Sequence, residues 1–332
     1  MKRHLIAVCL LIMTLLCACG KKETSSKNSI FDIAGGEGIS AGYPDTDGKT
    51  VIYVVKEKYT FDSENVMTQK IQYTYDEKGN MLSEEVDNGK ISEAWNEELM
   101  IYEYVFGEVD GEINYSRYWT YDKYANMLTQ EKENPDGKKQ LEYNFEYTYK
   151  NGLPIKQTIP NNSRDYTEYY YDTDGQLIRQ LQYRLEYEEP SVYQFEYNSD
   201  GTLGKIYWDK GSVFTFSYNV QDKLTELTRT DGTGALIFRN VYKYDYEGNM
   251  IIKEMYNSDN ELEQRSEYVY NRDGLLEEEK IMTVESGKEV HQTVKYAYEK
   301  VKMSDSEAEN YHARSQWRWL MEQTENNYLF RK

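Results

Sequence analysis

Cysteine is almost missing from this chain. Its three cysteines, Cys9, Cys17 and Cys19, all lie among the first nineteen of 332 residues, so no disulfide can brace the body. Histidine is as scarce, at three, and no cluster has the ligand spacing of a zinc site. His291 lies in an alternating segment and His312 in a helix-like one, which leaves neither a natural place in a Ser-His-Asp triad. No glycine-rich loop has the pattern that cradles phosphate. Lys and Arg number 39 against 58 Asp and Glu, a net charge of −19, so the chain lacks the basic surface that nucleic acid requires. Apolar residues make up 39%, below the usual ~45–50%, so any core is thin in aliphatic side chains. Asp172-Thr-Asp174-Gly175 and Asp45-Thr-Asp47-Gly48 begin like calcium loops. Position 12 counted from Asp172 is Tyr183, so both read as turns, and no metal or cofactor is expected. Glutamates are so numerous that no carboxylate pair stands out for glycoside hydrolysis, and an enzyme is not expected.

What the chain has instead is tyrosine, 34 of them, and aromatics reach 14%, too many for a disordered polymer. The tyrosines recur in one word: aromatic, any residue, aromatic, Asp or Asn, then Gly three positions on and Leu or Met five on. Full copies stand at Tyr59/Phe61/Met67, Tyr73/Tyr75/Met81, Trp119/Tyr121/Met127, Tyr169/Tyr171/Leu177, Phe195/Tyr197/Leu203, Phe216/Tyr218/Leu224, Tyr242/Tyr244/Met250 and Tyr268/Tyr270/Leu276. Shorter copies at Tyr102/Tyr104, Tyr147/Tyr149 and Tyr296/Tyr298 bring the mean period to about 24 residues between positions 62 and 299.

Each letter has a mechanical meaning. Aromatics two apart share one face of a strand. Asp or Asn opens a turn by bonding its own backbone. The Gly slot suits the left-handed residue of a three-residue hairpin loop with a bulge. The turn residues are therefore Asp76 and Gly79, Asp172 and Gly175, Asn198 and Gly201, Asp245 and Gly248, and Asn271 and Gly274. The slot holds Asn65, Asp222 and Ala125 in the other copies, and Ala125 fits it worst. The aromatic before the turn is predicted to face the Leu or Met after it, a cross-strand pair worth ~0.2–1 kcal/mol per copy. Two strands per copy give roughly twenty strands. Leu177, Leu181, Tyr183, Leu185 and Tyr187 share one parity and read as the buried side of a return strand.

The ends differ from the body. Lys2 and Arg3 precede the apolar run Leu5–Cys17, too short to span a bilayer comfortably but suited to a signal peptide. Leu16-Cys-Ala-Cys19 then resembles the lipobox of bacterial lipoproteins, with Cys19 as the lipidated residue. That resemblance implies a signal peptide over 1–18 and attachment to the extracytoplasmic face of a bacterial cell membrane by a lipid anchor. Residues 19–49, rich in Ser, Thr and Gly, read as a flexible linker. A helix is predicted from about Ser306 to Thr324, with a serine N-cap and an acidic first turn. It makes 304–332 a helical cap on a repeat domain spanning 50–303.

Tyr-Asp-x-x-Gly-Asn-Met at Tyr75–Met81 and Tyr244–Met250, and Tyr-Asp-x-x-Gly-Gln-Leu at Tyr171–Leu177, resemble the YD repeats of Rhs and teneurin-type proteins. The likeness implies an all-β fold of antiparallel hairpin repeats, joined in a long curled sheet or open half-barrel with the C-terminal helix as cap. Asn80, Gln176, Thr202 and Asn249 follow the turn Gly where that family usually has Arg, and no self-cleaving core or toxin segment is visible, so its toxin-encapsulating role does not carry over. The expected function is that of a non-catalytic surface protein binding an extracellular glycan or cell-wall polymer through an aromatic sheet face. A scaffold with a protein partner is the alternative, and a divergent hydrolase comes third. The repeat aromatics are expected in the core, and the off-pattern Trp95, Tyr183, Tyr187, Tyr207 and Trp208 are the candidate ligand contacts.

Overall fold

The computed structural model describes residues 43–44, 49–89, 91–96, 101–285 and 287–323; side chains are described throughout these except at 43–44, 91–96, 101–106 and 163. Among them, twenty strands form one antiparallel sheet, and Ile91–Asn96 pairs with Ile101–Phe106 in a separate ribbon. One helix, α1 (Asp305–Glu322), follows the last strand. The protein is thus all-β with a C-terminal helix, as its sequence predicts.

The hairpin word folds as its chemistry dictates. All eight Gly-slot residues have positive φ, from 58° at Asp222 to 90° at Gly201, and Ala125 accepts the conformation at 63°. At Asp62, Asp76, Asp122, Asp172, Asn219 and Asn271 the side-chain oxygen accepts backbone N–H groups two and four residues on. In every copy the second aromatic pairs with the Leu or Met, as in Tyr171↔Leu177 and Tyr244↔Met250, and a bulge lies beside each pair. The same loop recurs at the other ends of the strands, closing on Gly137, Gly234 and Asn260.

The bulge changes the parity read from Leu177 onward. Tyr170 pairs with Arg179 and Tyr171 with Leu177, so Ile178 is the extra residue. Leu177 and Gln180 are therefore the fully buried pair, while Leu185 and Tyr187 lie beyond the strand and are exposed.

The sheet bends back on itself. Thr50–Phe61 pairs with Lys288–Met303, joining the first long strand to the last. From that junction the strands run in one direction to Lys139–Asn144 and in the other to Glu146–Lys150. These two edges are consecutive in the chain, separated by Phe145 alone, so the sheet is nearly closed. Side chains lace the seam: the Tyr149 hydroxyl donates to the Asp122 carboxylate, and Asn126 Nδ2 donates to Tyr149 at 2.6 Å.

The first aromatics of the word face inward. Tyr169, Phe195, Phe216, Tyr242 and Tyr268 are buried with Leu177, Ile206, Leu227 and Met250 in one cluster. Helix α1 packs on this inner face, with Trp317 6.4 Å from Phe195 and Trp319 edge-on to Tyr242 at 5.7 Å. Ser304 caps it through a capping box with Glu307. The first copy is the exception. Tyr296 pairs with Lys58 and Val294 with Thr60, which places Tyr59 and Phe61 on the outer face, half-buried under Lys70 and Lys295.

Candidate functional site

Within each hairpin, the residue three after the Leu or Met stands opposite the first aromatic. The eight copies place Lys70, Glu84, Gln130, Gln180, Ile206, Leu227, Lys253 and Glu279 there. All but Lys70 of the inverted copy share the inner face, so this inward slot is apolar at Ile206 and Leu227 and polar in the other inward copies.

The polar side culminates where Met81–Asn88, Tyr115–Tyr121, Met127–Glu133 and Lys139–Asn144 lie side by side. Register sets Arg117 between Glu84 and Lys132. Gln130 pairs with Tyr143 and Glu131 with Leu141, so Glu142 is an extra residue at a bulge, and the bulge turns it toward Arg117. Arg117 Nη1 donates to Glu84 Oε1 at 2.7 Å and its Nε to Glu142 Oε2 at 3.2 Å. Gln130 Nε2 also donates to Glu142, and Trp119 Nε1 donates to Gln130 Oε1 at 2.8 Å. Tyr115 lies between two cations, with Arg117 4.7 Å and Lys132 4.5 Å from its ring centroid. Between 13% and 23% of the Arg117, Glu84 and Glu142 side chains remains exposed, so solvent reaches the cluster.

Burial alone would lower the Arg117 pKa. The Glu84 hydrogen bond and the charges of Tyr115, Glu84 and Glu142 outweigh it, raise the pKa and keep the guanidinium charged. Burial also pushes the Tyr115 hydroxyl up, against the nearby Arg117 charge. Lys132 and Arg117 balance Glu84 and Glu142, so this aromatic-walled cluster is electrically neutral and rich in donors and acceptors. Both carboxylates are engaged by the one guanidinium through charge-assisted hydrogen bonds.

The five off-pattern aromatics do not form a row. Tyr207 and Trp208 are neighbours in one strand and point to opposite faces. Trp208 is inside, its ring stacked on Tyr193 at 6.0 Å, whereas the outer Tyr207 donates to Glu196 Oε2 at 2.9 Å. Tyr183 stacks on Tyr166 at 4.2 Å on the outer face. Tyr187 is exposed in a loop with Lys210 5.9 Å from its ring. Trp95 pairs with Tyr102 in the ribbon, and its side chain lies outside the described residues. Cys19 also lies outside the described residues. Sequence reasoning missed Arg117, Glu84, Glu142 and Gln130. Aligning the copies on their Leu or Met would have exposed the slot three residues on, polar in five inward copies where an inward position should be apolar.

No protein-family model matches the chain, and no curated protein matches it by sequence. Among solved structures it is similar in fold to a crystal structure of TcdB2-TccC3-Cdc42, at 12% identity and TM-score 0.25, over 75% of this chain and 15% of that one. It is similar to the Photorhabdus luminescens Tc holotoxin pore at 13% identity and TM-score 0.24, covering 75% of this chain and 14% of that one. A porin-like protein from Bacteroides uniformis is similar at 11% identity and TM-score 0.34, over 74% of this chain and 96% of its own. The chain spans only about 15% of the length of the TcdB2-TccC3 chain it resembles.

Proposed function

We propose that this is a YD-repeat lipoprotein, anchored through Cys19 on the extracytoplasmic face of a bacterial membrane, and that it binds an extracellular glycan or wall polymer without catalysis. The observation that carries the reading is the neutral cluster of Arg117, Glu84, Glu142 and Gln130 beside Trp119. Sugar rings offer hydroxyls that both donate and accept and apolar faces that pack on aromatics, and the cluster supplies both kinds of partner. A net charge of −19 keeps the domain soluble and repels anionic headgroups, so lipid would hold it at the membrane.

The test is a binding screen of soluble protein beginning after Cys19 against a glycan panel and purified wall material. Saturable binding to one polymer is expected, at least tenfold weaker in Trp119→Ala and Glu142→Gln and unchanged in Tyr207→Ala, with each variant checked for folding by circular dichroism. Failure of the folded protein to bind any sugar or wall preparation would overturn the reading for those ligands. It would favour a protein partner, to be sought by crosslinking on intact cells.

A further inference from the structure

Gln130, Gln157 and Gln180 are all buried on the inner face of the sheet, and two of the three are fully engaged. Gln130 accepts from Trp119 and donates to Glu142. Gln157 donates to the Tyr147 hydroxyl at 3.0 Å and accepts from that of Tyr169 at 3.4 Å. Gln180 is the exception. It is 0% exposed, yet among the described residues neither its Nε2 nor its Oε1 has a hydrogen-bond partner. A buried amide left this way costs free energy, because its bonds to water are lost and nothing replaces them. Its surroundings are aromatic. Gln180 pairs with Tyr169 on one side and Tyr193 on the other, and Tyr193 pairs with Trp208. Trp208 stacks on Tyr193 at 6.0 Å with 5° between the ring planes, and its Nε1 is also buried without an acceptor. Two residues along from Tyr193, Phe195 lies 6.4 Å from Trp317 of α1, whose Nε1 is a third buried donor group without an acceptor.

The geometry points to Gln180, Trp208 and Trp317 as an interior site for a single pyranose ring carrying neighbouring hydroxyls. Of two adjacent ring hydroxyls, one donates to Oε1 and the other accepts from Nε2, so a vicinal diol uses both halves of the amide at once. Further sugar oxygens accept from the two indole N–H groups. The C–H face of the ring packs on the aromatic stack of Tyr193 and Trp208. Paired strands lie about 4.8 Å apart, so Gln180 and Trp208, two strands from one another, stand roughly 10 Å apart at the backbone with Tyr193 between them. One ring laid over Tyr193 reaches both. The orphaned atoms are closed to solvent in this structure, so entry requires the Trp208 or Trp317 side chain to turn aside, a rotamer change of the kind that binding commonly brings. The assignment of a sugar rests on the glycan reading above; the unsatisfied amide does not.

Methyl glucoside, methyl galactoside and methyl mannoside are the probes, titrated into soluble protein with cyclohexanol as a ring that lacks the diol. At least one glycoside should raise Tm saturably and change the tryptophan fluorescence, and cyclohexanol should do neither. Gln180→Met, which keeps the volume and removes the amide, should raise the Tm of the ligand-free protein by about 2 °C or more and abolish the glycoside response. Trp208→Phe, which keeps the ring stack without the N–H, should weaken glycoside binding about fivefold, the worth of one hydrogen bond. A lower Tm in ligand-free Gln180→Met would show that the amide is already satisfied and would overturn the site. So would a glycoside response unchanged in that variant, or no response to any of the three glycosides. Polymer binding that depends on Glu142 but not on Gln180 would sink the interior site and leave the glycan reading standing. A Gln180-dependent glycoside response without any polymer bound would do the reverse.

Discussion

Tyrosine rather than phenylalanine at the second position of the word is explained by its hydroxyl. Tyr197, Tyr218, Tyr244, Tyr270 and Tyr298 each donate to the carbonyl of the Leu or Met in the copy before, at 2.8–3.0 Å apart from 2.7 Å for Tyr244. Tyr75 and Tyr171 make the same reach to Val55 and Pro154. Each ring thus packs within its own hairpin and pins the one behind it. Burial pushes the hydroxyls of Tyr171, Tyr218 and Tyr244 well up, so they stay protonated donors. The first copy, with no copy before it, has Phe61 in this position. Tyr244→Phe should therefore lose about 1 kcal/mol, the net worth of one hydrogen bond, read as a lower urea midpoint with unchanged slope. No loss would show that the hydroxyl bond is not contributing.

At the scale of elements, hairpins and helix are held differently. A hairpin carries its instructions locally, in an Asx turn and a left-handed residue, and so repeats with little regard to its neighbours. Gly79 shows where a neighbour does intrude: a Cβ there would sit 2.7 Å from the Tyr311 ring of α1. The helix depends on the sheet, for its buried residues Ala308, Tyr311, Trp319 and Met321 all join the common core. His312, also on α1, is pulled below its ordinary value of 6.5 by burial. Above 6.5 both folded and unfolded states are neutral there and pH has no effect through this group. As pH falls below 6.5 the unfolded chain takes up the proton first, so stability declines until the lowered folded pKa is passed. Thermal unfolding between about pH 7.5 and pH 5 should show this decline, and His312→Gln should flatten it. An equal slope in the variant would assign the decline to other groups.

For the whole molecule, the decisive pairing is that of Thr50–Phe61 with Lys288–Met303. An open repeat array frays from its ends because each unit touches only its neighbours. Here the chain's outermost long strands are interior strands of the sheet, and the edges fall in mid-chain around Phe145. Hydrogen exchange should find the two terminal strands as protected as Leu224–Thr230, with Lys139–Asn144 and Glu146–Lys150 exchanging sooner. Earliest exchange in the terminal strands would refute closure. The hairpins, the pairing at their turns, the capped helix and the all-β class were legible in the sequence, because each follows from residues within a turn or two of one another. The inverted first copy, the seam at Phe145 and the meeting of Arg117 with Glu84 and Glu142 were not. They depend on which hairpin lies beside which and on bulges that shift a face by one residue, so partners 25 and 33 positions apart meet only when the sheet has curled. Local chemistry determined the repeat, and the long-range curl of the sheet decided which polar residues face the interior together.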